Sequence, residues 1–148
     1  MSSASLRRFS FGPFSVVTPP AWLDTTDPDG PWTLTRNDGV GALQFTVVVY
    51  VSGPAPDPSS DQLLEMLLTF AQPHMSGSPY DVALATEPVR SAAASFTLPP
   101  SDFLRAWYVS DGFSCAQVTY ICAQAAIGVE VHQAEDIVRS IRFSGRTT

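Results

Sequence analysis

The strongest constraint on this chain is a strand–turn–strand–helix run in its last third. Phe103–Val109 (F-L-R-A-W-Y-V) reads as one strand, Ser110-Asp111-Gly112 as a turn, and Phe113–Cys122 (F-S-C-A-Q-V-T-Y-I-C) as a second strand. Two such strands joined by a tight turn pair with each other and need a covering layer. The next segment supplies one. At 100° per residue, Ile127, Val131, Ala134, Ile137, Val138 and Ile141 fall on one helix face. His132, Gln133, Glu135, Asp136 and Arg139 fall on the rest, with Glu135 and Arg139 in the favourable i, i+4 order. A short closing strand is predicted at 141–143.

The upstream segments extend this pattern. Phe14–Thr18 is a short strand stopped by Pro19-Pro20, and Trp22 is expected to pack back over the core. Trp32–Arg36 alternates as a half-buried strand, and Asn37-Asp38-Gly39 is a hairpin-type turn. Leu43–Val51 places Leu43, Phe45, Val47, Val49 and Val51 on one face and the mixed set Gln44, Thr46, Val48 and Tyr50 on the other. After the stiff loop Gly53–Pro58, a helix starts near Ser59, where Ser59 and Gln62 have capping-box spacing. Its wide apolar band runs to Ala71, and Pro73 stops it. His74–Pro79 reads as the least structured stretch. Tyr80–Thr86 and Val89–Leu98 are predicted strands, although Ala92–Ala94 alone would favour helix.

The predicted fold is α+β: a largely antiparallel sheet flanked by two helices, in one domain spanning 1–148. Residues 1–8 and 144–148 are expected to be flexible ends. A chain of 148 residues buries roughly 70% of its unfolded surface, enough for a core without metal or disulfide.

Composition then removes whole classes of chemistry. The chain has no lysine, and its eight basic residues are all arginine. A Walker-type phosphate loop, a pyridoxal Schiff base and a lysine base are therefore excluded. The net charge of −6 and the lack of a basic stripe argue against nucleic acid. They permit a basic or apolar protein surface as partner. Cys115 and Cys122 are separated by about 23 Å of strand and face opposite sides, so they read as free core thiols of a reducing compartment. Arg7-Arg8 faintly resembles an export signal, but Gly12, Pro13 and Pro19-Pro20 break the apolar run that such a signal needs. No stretch reaches the 18 or so apolar residues of a membrane span. The expected location is the cytoplasm, with no membrane partner.

No catalytic or metal set is legible. His132, Glu135 and Asp136 read as a solvated helix face, and His74 as a surface loop residue. There is no G-x-S-x-G elbow, no nucleotide glycine pattern around Gly39 and Gly41, and only a fragment of a calcium loop at Asp27-Pro28-Asp29-Gly30. No cofactor is implied. Asp24, Asp27 and Asp29 cluster on one turn beside Trp32. Aspartates favour turns for local reasons, but acids beside an exposed aromatic also suit a protein contact. These four residues are the candidate partner-binding region. Trp107, sharing a face with Phe103 and Val109, reads as core.

Phe14–Thr18 followed by Pro19 and Trp22, the run Gly41-Ala42-Leu43-Gln44-Phe45, Trp107 before the Asp111-Gly112 turn, and the close Ile137–Phe143 together resemble the PsbP-like superfamily. That group includes DcrB-type bacterial proteins, Ran-binding Mog proteins and photosystem extrinsic subunits. The resemblance implies an α/β/α sandwich and a non-catalytic binding or accessory role, as in toxin-immunity proteins and secretion-effector chaperones. It carries over no site residue. Two other functions stay open: a small-molecule carrier with a pocket between sheet and helix, and an enzyme with a dispersed site. An edge strand could also support a homodimer.

Overall fold

The computed structural model describes residues 5–49 and 56–144. Tyr50 and Val51 of the predicted long strand, Gly53–Ala55 of the predicted stiff loop, and the end 145–148 lie outside the described residues.

Ten strands and two α-helices follow in the order β1 (Arg7–Ser10), β2 (Phe14–Thr18), β3 (Trp22–Asp24), β4 (Trp32–Arg36), β5 (Gly41–Val49), α1 (Ser60–Ala71), β6 (Ser76–Ala85), β7 (Arg90–Leu98), β8 (Asp102–Ser110), β9 (Ser114–Ala123), α2 (Val131–Arg139) and β10 (Arg142–Phe143). A seven-stranded sheet has the order β3-β4-β5-β9-β8-β7-β6, and a three-stranded sheet has the order β1-β2-β10. Among the described residues every strand pair is antiparallel.

β8 is the most deeply covered strand, buried along both faces after its first residue. Phe103, Trp107 and Val109 look to one side and Leu104, Ala106 and Tyr108 to the other. On the second side α1 brings down Leu63, Leu67 and Ala71. The alanines of β7 explain how the helix comes so close. Ala92 and Ala94 face α1 and are fully buried, and Ala93 points to the opposite layer. Tertiary contact thus overrides the helical propensity of that run. On the first side α2 and the small sheet share the cover. Ala134, Ile137, Phe14 and Val16 pack over Leu34, Leu43, Phe45, Val118 and Tyr120. Ser140 joins the two covering elements: its hydroxyl accepts from Val17 N at 2.8 Å.

α1 begins as its spacing predicts. Ser59 Oγ accepts from Gln62 N at 3.1 Å and Gln62 Oε1 accepts from Ser59 N at 2.8 Å. The 110–113 turn is held by Asp111 Oδ1, which accepts from Phe113 N and Ser114 N. Trp22 lies at the head of β3, fully buried, with Nε1 donating to Gln133 Oε1 at 2.9 Å.

Several expectations need correction. The expected flexible start 1–8 overlaps β1, where Arg7 pairs with Thr18 and Arg8 with Val17. At the other end, Ser144 N donates to Pro13 O. The stretch 76–79 is not loop but the first part of β6, where Ser76 pairs with Thr97 and the register shifts before Tyr80. Its Gly, Ser and Pro fit an irregular edge strand, a form that hydrophobic alternation does not reveal. Ile127 does not belong to the helix face, because a 3₁₀ turn at Gln124–Ala126 intervenes and α2 starts only at Val131. β2 and β10 belong to a separate small sheet rather than to the main one.

Leu67→Ala is expected to lower unfolding free energy by about 2–5 kcal/mol, because it empties the α1–β7–β8 interface. Met66→Ala, on the exposed side of the same helix, should change it by less than about 0.5 kcal/mol. Urea unfolding of both variants measures the contrast.

Candidate functional site

The β3–β4 loop is a compact, acid-bearing turn. Asp24 Oδ1 accepts from Thr26 N at 3.0 Å and from Thr26 Oγ1 at 2.6 Å, and Thr26 Oγ1 accepts from Thr33 N at 2.9 Å. Asp27 O accepts from Gly30 N. Asp24 therefore shapes the loop, while the carboxylates of Asp27 and Asp29 are exposed. Trp32 does not join them as a free surface ring. It stands on the core side of β4, edge-on to Phe14 at 5.3 Å and 6.2 Å from Phe11. Three of the four expected contact residues thus share one exposed loop, and the fourth belongs to a half-buried aromatic cluster.

That loop leaves the sheet at the same end as the β6–β7 turn, the β8–β9 turn and the entry to α1, since antiparallel neighbours alternate in direction. Asp57 N bonds Gly112 O and Ser60 Oγ bonds Ala85 O, which ties these connections together. Asp27, Asp29, Asp57, Asp61, Glu87 and Asp111 all lie on them. Arg90 beside them is already paired with Asp57.

The face of the sheet that α1 covers is covered only in part. α1 packs on β6, β7 and β8. Past its edge the register aligns Thr33, Gln44 and Thr119 in one row and Thr46 with Gln117 in the next. Leu23, Val48 and Ile121 are exposed there, Val48 to 67%. Gln117 Nε2 donates to Tyr108 OH at 2.7 Å along the border with α1. The result is an open floor without a charged side chain among the described residues. A hollow of about 360 Å³ lies over it, between Pro31 on one side and Phe70 and His74 on the other.

Two carboxylates, one buried and one half-buried, lie on the opposite side of the sheet. Glu130, 1% exposed, immediately precedes α2. Its Oε1 accepts from Gly41 N at 2.9 Å and Tyr120 OH at 3.0 Å, and its Oε2 stands 3.2 Å from Arg36 Nε as an ion pair. Gly39 and Gly41 make room for it. A Cβ on Gly39 would meet Glu130 Oε2 at 2.8 Å, and one on Gly41 would meet the Tyr120 ring at 2.8 Å. These glycines therefore do more than turn the hairpin: they admit a carboxylate that pins α2 to it. The second carboxylate is Glu135. It is not a solvated residue paired with Arg139. Its Oε1 accepts from Arg105 Nε at 2.9 Å and its Oε2 from Trp107 Nε1 at 3.0 Å. Arg105, itself buried, also donates to Ser95 Oγ at 3.0 Å and to Asp81 O at 2.6 Å.

Beside Glu135 lies a cavity of about 340 Å³. The register explains it. The row Trp32, Phe45, Val118, Trp107, Ala93, Ala83 crosses the sheet from large to small side chains. The next row ends similarly, in Val109, Ser91 and Ala85. Under Val138 of α2, β6 and β7 are too thinly furnished to fill the space.

His132 is exposed on α2, and the His74 ring lies tilted against Phe70, 5.9 Å between centroids, beyond the end of α1. Among the described residues no group of three or more His, Cys, Asp or Glu is placed to hold a metal ion. Cys115 and Cys122 are free and face opposite layers, as their odd spacing requires. No helix among the described residues is long and apolar enough to cross a membrane.

Sequence reasoning missed Glu130 and Arg105 as buried polar groups and Glu135 as the half-buried partner of Arg105. The sequence signals were faint: an arginine inside an otherwise apolar strand, and Gly-Val-Gly opposite a tyrosine strand. Neither reveals a partner brought from a distant element.

No family model matches the chain, and no curated protein matches it in sequence. Its fold is PsbP-like. It superposes on the solution structure of cyanobacterial PsbP (CyanoP) from Synechocystis sp. PCC 6803 with a TM-score of 0.61 and 12% identity, covering 97% of this chain and 95% of that one. A crystal structure from Bacteroides thetaiotaomicron VPI-5482 gives a TM-score of 0.63 and 14% identity over 90% of this chain. The chain spans 46% of that longer protein.

Glu130→Ala is expected to cost about 3–5 kcal/mol, because it strands Arg36, the Tyr120 hydroxyl and the Gly41 amide together. Tyr120→Phe should cost only about 1 kcal/mol, since Glu130 keeps its other partners. Chemical denaturation reads both.

Burial raises the thiols of Cys115 and Cys122 and the phenols of Tyr108 and Tyr120 above their ordinary values. At Tyr120, hydrogen bonding and charge from Cys122 and then Glu130 add to the burial, and the shift is large. A raised value in the folded state favours the neutral form. The stability it contributes is complete below the ordinary thiol and phenol values and is lost as pH climbs through the raised ones. The urea midpoint should therefore fall above pH about 8.5, with a shallower fall in Cys122→Ala.

Proposed function

We propose that this chain is a non-catalytic accessory domain that binds another protein. The roles that fit it best are a toxin-immunity protein or a secretion-effector chaperone of a bacterial cytoplasm, close to the DcrB-type and Ran-binding Mog-like members of the PsbP-like group. The observation that carries the reading is the open half of the sheet. Leu23, Val48 and Ile121 are exposed on that floor, and it ends at connections bearing Asp27, Asp29, Asp57, Asp61 and Asp111. These apolar residues lie at the ends of a floor whose centre carries threonines and glutamines, and protein interfaces combine such apolar contacts with hydrogen bonds. The acids make a basic surface the natural counterpart, because opposite charge speeds encounter and sets orientation. The two free thiols support a reducing compartment.

The cavity beside Glu135 favours a second reading, carriage of a small apolar molecule between sheet and helix. Thermal-shift screening of small apolar ligands tests it, and a ligand that raises the melting temperature and is lost in Ala93→Leu would support it.

The main reading is tested by affinity capture from the native cell extract at low and high salt. A stoichiometric basic protein should be retained at low salt and released at high salt. A variant with Asp24, Asp27 and Asp29 changed to Asn should associate more slowly, with a flatter salt dependence. Unchanged association of that variant removes the loop from the interface, and capture of no stoichiometric protein removes the reading.

A further inference from the structure

β6 is the outer strand of the main sheet, bonded to β7 on one edge through Ala83–Ala93, Leu84–Ala92 and Ala85–Ser91. Among the described residues its other edge has no partner strand. A long free edge is ordinarily blunted by charge, proline or an irregularity. Here the register shifts between Ser76 and Tyr80 and again between Tyr80 and Ala83. Asp81 has a left-handed backbone, φ +50°, and its carbonyl is held from below by Arg105. Beyond it the run Val82-Ala83-Leu84-Ala85 is uncharged, and from Ala83 to Ala85 its pairing with β7 is regular. Tyr80, Val82 and Leu84 are 39%, 49% and 45% exposed. On the α2 side, the cavity left by Ala83, Ala85 and Ala93 lies directly beside this edge, with Trp107 and Val138 among its walls. The opposite edge strand, β3, offers three residues.

We infer that the free edge of β6 at Val82–Ala85 takes an extended segment of a partner protein as an additional antiparallel strand, with one apolar side chain of that segment seated in the cavity under α2. Main-chain hydrogen bonds to the edge supply affinity, and the cavity selects the side chain. Charge selects the flanks. Asp81 and Glu87 bracket the run, and neither forms an ion pair among the described residues. The segment is therefore apolar in its centre and basic at its ends. A second copy of this chain fits poorly. Antiparallel pairing of two β6 strands centred on Leu84 sets Asp81 of one against Glu87 of the other, twice, between molecules of net charge −6. This inference rests on the protein-binding reading, but on neither the acidic β3–β4 loop nor the open floor.

The test uses the full chain, isotopically labelled, and three end-capped eight-residue peptides. One alternates leucine and threonine between terminal arginines, one replaces the arginines by glutamates, and one groups its leucines so that none alternates. Titration with the first peptide should shift the backbone amides of residues 82–86 and the Trp107 indole resonance together and saturably. The glutamate-ended and grouped peptides should bind about tenfold more weakly or not at all. Ala93→Leu, which fills the cavity, should abolish the Trp107 response. The double variant Asp81→Asn, Glu87→Gln lies wholly on the surface, so it should keep the fold while losing the preference for arginine ends. Absence of binding, shifts confined to the β5–β9 floor, equal binding of all three peptides, or self-association through β6 without peptide would each overturn the proposal. If affinity capture succeeds while these titrations fail, the protein-binding reading stands and the β6 site falls.

Discussion

Everything in this fold is arranged around a strand that must be covered twice. β8 carries large apolar side chains on both faces, so neither can be left to water. At about 25 cal/mol per Å² of apolar surface, one bare face would cost more than the fold can spare, given that domains keep only about 5–15 kcal/mol in hand. α1 closes one face, and α2 together with the small sheet closes the other. Arg105 is the exception on that strand. A buried guanidinium is tolerable only when fully bonded, and Glu135, Ser95 and the Asp81 carbonyl supply the partners. One residue thus links the central strand, the covering helix and the sheet edge.

The same layering leaves two surfaces unfinished. α1 is wide enough for β6, β7 and β8 but not for β9, β5 and β4, so a polar, threonine- and glutamine-bearing floor stays open. α2 and the small sheet cover the other face from β4 to β8 but stop short of β7 and β6, where alanines and a serine leave a cavity. Both vacancies arise because two helices and a small sheet cannot span seven strands on two faces. The proposed protein contact and the proposed carrier site fall on these two vacancies.

Much of the local structure was legible in the sequence. β2 and β4 match their predicted ranges, the Ser59–Gln62 box opens α1, and the opposed faces of Cys115 and Cys122 follow from strand geometry. These are short-range properties, set by alternation, capping and turn chemistry. The acidic loop was legible for the same reason, since aspartates near glycine and proline mark a turn. Legibility failed where a residue's role depends on something remote. Glu135 looks solvated on a helix projection, yet it faces an arginine and a tryptophan thirty residues or so away in the chain. Glu130 reads as a surface acid, yet two hairpin glycines and Tyr120 enclose it. Residues 76–79 look like loop because an irregular edge strand lacks alternation. Trp32 looks exposed because its neighbours in sequence are polar, while its neighbours in space are Phe11 and Phe14.

The sequence by itself determined that this chain is an α+β domain of antiparallel strands with two amphipathic helices, and that lysine chemistry lies outside its reach. Alternation and helical periodicity act between residues a few positions apart, so one chain suffices to read them. Only the tertiary structure decided that the strands divide into a seven-stranded and a three-stranded sheet, which strands each helix covers, and where the open floor, the free β6 edge and the paired carboxylates fall. Those features come from packing between elements far apart in sequence, where the fit of volumes and the pairing of charges with at least one buried partner select the arrangement, and no local pattern encodes that fit.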